Sequence, residues 1–405
     1  MQTIILRGER PLSGTVRIRG CKNSVLPLLA AGLAVRSPCV LTNVPDILDV
    51  HTALEILNSL GCSARYQAHT VWLDSSQLRQ TRVEAALCGK MRSSILFLGA
   101  LVSAAGEAEV FQPGGCVLGK RPIDLHLNGL QTLGISVREE ADRIVCRASG
   151  AYGGTVILPY PSVGATENLL LAAMGAAGPV QIIGAAREPE ILDLARFLTA
   201  CGARIYGAGT GRILAWAGDL HGTEYRVMPD RMEAATYLAA AASAGGEITL
   251  EQVQPEHLKA ILRHYRLTGC RLNVYTDALR IRAGALRAGP PVRTGPYPAF
   301  PTDAQPTFMA AMLRARGVTV FDETVFDSRY RHVAALCNLG AQIRTVGSLA
   351  AVSGVEKLRG CAMEATDLRG GAAMVVAALG AEGESQITGL GHVLRGYEAL
   401  PDSLA

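Results

Sequence analysis

Aromatic residues are scarce in this chain of 405 residues: they make up 5% of it, against 49% hydrophobic residues overall. A core of the size such a chain can bury is therefore mostly aliphatic, and the length suits two or three domains. Charge is scarce as well, at 18% with a formal net charge of +4. That balance is too small to argue for a nucleic-acid partner, although a local cationic site for an anionic small molecule stays open. No two of the ten cysteines fall in a C-x-x-C spacing. A zinc or redox motif is thus unsupported, and the scattered thiols read as reduced cysteines of a cytoplasmic protein. A long uncharged apolar run is missing too. The longest, "LLLAAMGAAGPVQIIGAA", is broken at Gly178-Pro179, and the start "MQTIILRGERPLSG" carries Arg7, Glu9 and Arg10. Neither a membrane span nor a signal peptide is expected. H-E-x-x-H, the phosphate-loop pattern G-x-x-x-x-G-K-[ST] and a strand-linked G-x-G-x-x-G are all absent. A paired-ligand metal motif is thus lacking, and neither ATP nor NAD is indicated.

What the chain has is glycine, 44 residues of it, and a repeat. Small-residue-rich helices open on polar clusters at "KNSVLPLLAAGL" from Lys22, "RSSILFLGALVSAAG" from Arg92 and "GATENLLLAAMGAAG" from Gly164. The same element returns as "DRMEAATYLAAAASAGG" from Asp230, "TDAQPTFMAAML" from Thr302 and "DLRGGAAMVVAALGAEG" from Asp367. These starts lie about 65 to 72 residues apart. A second marker keeps the same period: a helix ending at Gly61, Gly134, Gly202, Gly269 or Gly340, followed by an alternating strand. Each glycine suits the left-handed residue just past a helix end. Six units of helix, strand, helix and strands give an α/β fold of two lobes with three units each, the Ala/Gly-rich helices inside. The sixth unit looks short, because the chain stops after "HVLRGYEALPDSLA" without a last glycine and strand.

A helix start leaves unpaired N–H groups and a partial positive charge, which suits phosphate or carboxylate. Lys22, Asn23, Arg92, Thr302, Asp303, Asp367 and Arg369 stand at these starts. In "QPGGCVLGKRPIDLH", Cys116 follows Pro113-Gly114-Gly115 and precedes Lys120 and Arg121. The context lacks helical periodicity and points to an exposed loop, where nearby cations favour thiolate. A buried packing thiol like the other nine is the alternative.

The chain resembles the enolpyruvyl transferase family, in its sugar-nucleotide branch. Ten stretches follow the family's order: "GCKNSVLPLLAAGL", "MRSSILFLGALVSAAG", "GGCVLGKRPIDLHLNGLQTLG", "SVGATENLLLAA", "AAREPEILDLARFL", "MPDRMEAATYLAAAA", "FPTDAQPTFMA", "DSRYRHVAALCNLGA", "TDLRGGAAMVVAAL" and "LRGYE". The resemblance implies a two-lobed inside-out α/β barrel of six βαβαββ units. One lobe would hold residues 22–229 and the other residues 1–21 with 230–405, with the active site in the cleft between. It implies transfer of the enolpyruvyl group of phosphoenolpyruvate to the 3′-hydroxyl of UDP-N-acetylglucosamine, by addition and elimination through a tetrahedral intermediate. Phosphate is released and no cofactor is needed. That reaction is the first committed step of peptidoglycan synthesis, and an epoxide phosphonate such as fosfomycin is expected to alkylate its cysteine.

Carried over residue by residue, the resemblance makes Cys116 the proton donor to the methylene carbon. It places Arg121, Pro122, Ile123, Asp124 and Leu125 at the uridine end, and Ser162, Val163 and Gly164 in a nucleotide-side turn. Lys22, Asn23, Arg92, Arg121 and Arg395 fall on the phosphoenolpyruvate side. Asp303 comes near the sugar hydroxyl, as base or as positioning group, and Val325 touches the sugar. Arg329, Asp367 and Arg369 are further site residues. Arginine suits these anions because its planar fork binds oxyanions through two bonds. Thr302-Asp303 equally suits a helix cap, Asp367 has the same ambiguity and could instead fix Arg369, and Glu188 and Glu190 read as cap or salt-bridge partners at least as well as site residues. His126 and His392 read as structural. Cys21 stands where the family usually has Ala, Lys120 where a small residue is common, and Tyr160-Pro161 where some members are basic. A shikimate-type enzyme is disfavoured by the cysteine loop. A paralogue acting on another nucleotide or natural-product acceptor, and a non-catalytic sugar-nucleotide-binding paralogue, remain the alternatives.

Overall fold

Six helices in this chain are apolar nearly all round, and a helix of that kind has to be surrounded by protein. The computed structural model, which describes residues 3–114, 123–398 and 400, places them inside two compact units. The first unit holds residues 20–114 and 123–228, and the second holds residues 3–19 and 229–400. In the first unit, helices Lys22–Val35, Phe97–Ala105 and Val163–Ala173 pack on one another. In the second, Arg231–Ala244, Gln305–Ala311 and Leu368–Leu379 do the same. Each trio lies in its own hydrophobic core. Alanine and glycine on the facing sides bring the helix axes close without leaving voids.

Around each trio lie three sheets, five of four strands and one of three among the described residues. The sheet of Gly154–Ile157, Val180–Ile183, Arg212–Trp216 and Arg204–Tyr206 shows the plan: the first pair is parallel and the others antiparallel. Helices such as Pro189–Ala200 connect strands within a unit. The five repeated glycines all adopt positive φ, between 92° and 107°, as a left-handed exit from a helix requires.

Two strands sit away from their sequence neighbours. Leu12–Arg17 pairs in parallel with Gly246–Glu251, and Glu224–Arg226 pairs in parallel with Cys39–Thr42. The chain therefore passes from one unit to the other at residues 19–20 and again at 228–229. Backbone bonds flank both passages: Cys21 N donates to Met228 O and Asp230 N to Arg19 O, each at 2.8 Å.

The sixth unit is short, as expected: its sheet has three strands among the described residues, where each of the other five has four. Its sheet pairs Ala362–Glu364 with Glu384–Thr388 in parallel, and Ile4–Arg7 pairs antiparallel with the latter. The N-terminal strand takes the place filled by Arg212–Trp216 in the third unit, and no local pattern marks an exchange between chain ends. Among the described residues, no helix is long and apolar enough to cross a membrane.

Candidate functional site

In the first unit, helix Lys22–Val35 begins with its lysine side chain folded into protein. Lys22 Nζ lies 2.8 Å from Asp49 Oδ2, and both side chains are nearly buried. A cation there requires such a partner. Asn23 beside it is half-buried. The next residue, Ser24, contacts the Asp193 carboxylate through its hydroxyl. Tyr225 Oη donates to Asp193 Oδ1 at 2.7 Å, and Met228 N donates to Oδ2 at 3.3 Å. Burial pushes the Asp193 pKa up, while the Ser24 and Tyr225 hydroxyls and Met228 N pull it down. One carboxylate thus ties the start of the Lys22 helix to the strand that leads out of the unit. Neither Asp49 nor Asp193 carries a signal in the sequence, since each lies on a second helix far from the motifs it serves.

Arg92 is half-buried and opens a 3-10 turn, Arg92–Leu96, that leads into the apolar helix; the helix itself starts later than expected, at Phe97. Ile123 immediately precedes helix Asp124–Thr132, Asp124 is exposed and Leu125 half-buried. Ser162 caps the next inner helix, its Oγ accepting from Ala165 N at 3.3 Å, so Val163 and Gly164 form the first turn. Between these segments sits His126, whose pKa burial and the Arg92 charge lower to about 4. Glu188 does not cap helix Pro189–Ala200 through its side chain, which instead accepts from Arg187 N at 3.0 Å. It stands with Glu190 near Glu167, whose pKa burial pushes well above the carboxylate range, helped by both neighbouring charges.

Cys116, Arg121 and Pro122, together with Lys120, lie outside the described residues. The approach to them is described. Gly114 N donates to Cys88 O at 2.9 Å, and a Cβ on Gly114 would come within 1.9 Å of Gly89 O. The other nine cysteines form no disulfide.

In the second unit the candidates gather around one carboxylate. Asp303 Oδ1 accepts from Arg329 Nη2 at 2.7 Å, and Oδ2 accepts from Arg369 Nη2 at 3.0 Å and Nε at 3.2 Å. The capping alternative for Asp303 is not adopted. The helix begins at Gln305, with Ala304 at its cap position and no side-chain cap bond. Arg329 is fully buried and Arg369 nearly so. Arg329 Nε donates to Thr302 Oγ1 at 3.0 Å, and Thr302 donates to Glu323 Oε1 at 2.9 Å. Glu323 Oε1 also accepts from Val325 N at 2.9 Å, which fixes the backbone of that residue. Arg329 Nη1 is buried and has no hydrogen-bond partner among the described residues.

Asp367 resolves as a cap. Its Oδ1 accepts from Arg369 N at 3.0 Å and Gly370 N at 2.9 Å, so it meets Arg369 at the backbone and leaves the guanidinium to others. Arg369 Nη1 donates to Tyr397 Oη at 3.0 Å, and Tyr397 Oη lies 2.7 Å from Thr236 Oγ1. Burial pushes the Arg369 pKa down, but Tyr397, Asp303 and Asp230 outweigh it and leave it above the usual range. Arg395 is half-buried in the turn just before Tyr397. Arg329 is thus brought to Asp303 across 26 residues and Arg369 across 66. Charge-assisted bonds at both oxygens orient the carboxylate and both guanidinium forks together. Among the described residues, no group of three or more His, Cys, Asp or Glu is placed to hold a metal ion.

Known proteins share this architecture. The solved enolpyruvyl transferase NikO from Streptomyces tendae superposes with a TM-score of 0.89 over 99% of this chain and 96% of its own, at 24% identity. An EPSP synthase from Acinetobacter baumannii gives 0.74 over 97% and 95%, at 19% identity. At those identities the likeness is one of fold. Sequence relatives are nearer. UDP-N-acetylglucosamine 1-carboxyvinyltransferase 2 of Caldanaerobacter subterraneus is 41% identical over 98% of this chain and 96% of its own. UDP-N-acetylglucosamine 1-carboxyvinyltransferase of Gluconobacter oxydans is 42% identical over 100% and 97%. The profile of the family described as EPSP synthase (3-phosphoshikimate 1-carboxyvinyltransferase) matches residues 6–404. With a match along the whole chain and relatives above 40% identity, this chain belongs to that family, the enolpyruvyl transferases.

Proposed function

We propose that the chain transfers the enolpyruvyl group of phosphoenolpyruvate to the 3′-hydroxyl of UDP-N-acetylglucosamine, releasing phosphate, as the first committed step of peptidoglycan synthesis in the cytoplasm. The observation that carries this reading is the shared name of relatives about 40% identical over nearly the full length of both chains. The site chemistry supports it. Phosphoenolpyruvate brings a phosphate and a carboxylate, and the sugar nucleotide brings a diphosphate, so the reaction calls for several oriented cations. Lys22, Asn23, Arg92, Arg121 and Arg395 are assigned to phosphoenolpyruvate. Ile123, Asp124 and Leu125 with Pro122, and the turn Ser162–Gly164, are assigned to the nucleotide. Arg329 has a buried Nη1 donor to spend on an anion.

Addition to the double bond needs a proton delivered to carbon and another taken from the attacking hydroxyl. We assign the first to Cys116. We assign the second to the Asp303 carboxylate of the second unit, which takes the proton of the acceptor hydroxyl and is held in place by its bonds to Arg329 and Arg369. The test is phosphate release. Phosphoenolpyruvate with UDP-N-acetylglucosamine should give stoichiometric phosphate, and phosphoenolpyruvate with shikimate 3-phosphate should give none. Turnover of shikimate 3-phosphate alone, or of neither acceptor, would overturn the reading.

A further inference from the structure

Cys39 opens strand Cys39–Thr42, and Cys201 follows directly on helix Pro189–Ala200. They come from separate repeats of the first unit, and one segment brings them together. His221 N donates to Cys201 O and Val40 N donates to Thr223 O, each at 2.9 Å. Between those bonds, a Cβ on Gly222 would come within 1.8 Å of Pro38 O, so the segment lies flat against the residue before Cys39. At its other end, a Cβ on Gly202 would lie 3.3 Å from the His221 ring.

Beneath that segment the two thiols meet. Cys39 is 2% exposed and Cys201 fully buried, and neither is in a disulfide. The Cys201 S–H donates to the Cys39 sulfur. That bond lowers the Cys39 pKa most; burial and Asp74 oppose it, and Thr223 N and the His221 charge add to it. The same bond, with burial, pushes Cys201 up, so Cys39 is the thiolate of the pair and Cys201 keeps its proton. When protonated, Cys39 has only the weak alternative of donating to Ser37 O at 3.5 Å. Burial raises the thiols of Cys62, Cys88, Cys146 and Cys270 instead. The cover over the pair is thin: His221 is exposed, and Gly222 and Thr223 are half-buried. A thiol drawn toward thiolate beside a second thiol is the arrangement of a nucleophilic cysteine and its resolving partner.

We propose that Cys39 and Cys201 form an oxidisable dithiol site, which a small hydroperoxide such as hydrogen peroxide closes to a reversible disulfide that braces the first unit. The Cys39 thiolate attacks one peroxide oxygen; the O–O bond breaks, hydroxide leaves and Cys39 becomes a sulfenic acid. Cys201 then attacks that sulfur. The S–S bond forms, the S–O bond breaks, and the hydroxyl leaves as water with the Cys201 proton. The two sulfurs lose two electrons and the peroxide gains them. The link fastens strand Cys39–Thr42 to the helix that carries Asp193, the carboxylate bound to Ser24 at the start of the Lys22 helix. A thiol reductant releases it by exchange.

Peptide mapping of the native, full-length protein tests the site. After brief exposure to hydrogen peroxide, free thiols are alkylated in denaturant and the chain is digested. The unaltered protein should lose the Cys39 and Cys201 thiols together, faster than those of Cys62, Cys88, Cys146 and Cys270, and yield their peptides as a linked pair. Dithiothreitol should restore both thiols. The oxidised protein should melt about 5–15 °C above the reduced one, the scale for a link that closes a long loop. In Cys201→Ala, dimedone should trap a sulfenic acid on Cys39; in Cys39→Ala, Cys201 should stay unmodified. Cys39 and Cys201 still alkylated after the other four thiols have reacted would overturn the proposal. So would a link from either to another cysteine, a linked pair that forms only after unfolding, or a linked protein that melts no higher than the reduced one. Mapping of the unaltered protein decides the matter even where an alanine variant fails to fold.

Discussion

Replacing Asp303 with alanine leaves two guanidinium groups facing each other inside protein. Arg329 has a side-chain exposure of 1% and Arg369 of 4%, while Asp303 is 28% exposed. Removing one member of a buried ion pair costs about 3–5 kcal/mol, because the remaining charge is stranded. Water reaches part of Asp303 and screens its share, so the lower end, about 3 kcal/mol, is expected. For a unit of this size that corresponds to a drop of about 6–12 °C in melting temperature. Circular dichroism melts of Asp303→Ala and Asp303→Asn measure it, with the asparagine variant losing less because its Oδ1 still accepts from one arginine. Adding Arg329→Leu to Asp303→Ala should cost less than the sum of the two single changes, since the stranded charge is gone. The refuting result is an Asp303→Ala protein that melts with the unaltered one yet has no activity. The clamp would then carry no stability, and the carboxylate would be a purely chemical group.

Glu233 supplies a pH test. Burial pushes its pKa up to about 8, Asp230 and Glu398 adding to the shift and Arg19 opposing it. The folded protein then holds a proton that the unfolded chain releases near pH 4.5, so stability falls as pH rises from about 4.5 to about 8. Glu233→Gln should flatten that slope and melt above the unaltered protein at pH 8.5 but not at pH 4, as read by melting curves across pH; parallel curves would contradict the burial argument. Cys116→Ser should lose most transferase activity while still binding the sugar nucleotide, and intact mass after fosfomycin treatment should show one adduct, at Cys116. An adduct on another cysteine would relocate the acid. Gly114→Ala should lower kcat by about a hundredfold, the cost of a misplacement of about 1 Å near the reacting group. Gly89→Ala, where an added Cβ meets nothing, should leave kcat alone; equal effects from the two would remove Gly114 from the argument.

Local chemistry explains what the sequence made legible. The period of the polar helix starts and the glycines that end the outer helices follow from contacts within a few residues, and Gly61, Gly134, Gly202, Gly269 and Gly340 all take the backbone shape their context predicts. The two-unit plan and the α/β class follow from that period. Contacts across long stretches of sequence stayed hidden. Asp303 looks like a helix cap in its own segment and becomes an arginine ligand only when Arg329 and Arg369 arrive. Asp193 gathers Ser24, Tyr225 and Met228 from places 169, 32 and 35 residues away, and no pattern local to "EILDLARF" announces that. The bond between His126 and Asn168, 42 residues apart, is likewise invisible in either segment alone.

The strand Ile4–Arg7 finds its partner at Glu384–Thr388, so Arg7 and Glu384 meet across 377 residues. On a ribosome adding about 5–20 residues per second, the first strand waits roughly 20–75 s for that partner to be made. The unit spanning residues 20–228 has all its own strands by then, so the two units should mature in sequence, the one holding both chain ends second. During the wait an apolar strand is open to strangers, and Arg7, Glu9 and Arg10 put charge beside it, as a natural guard against misjoining.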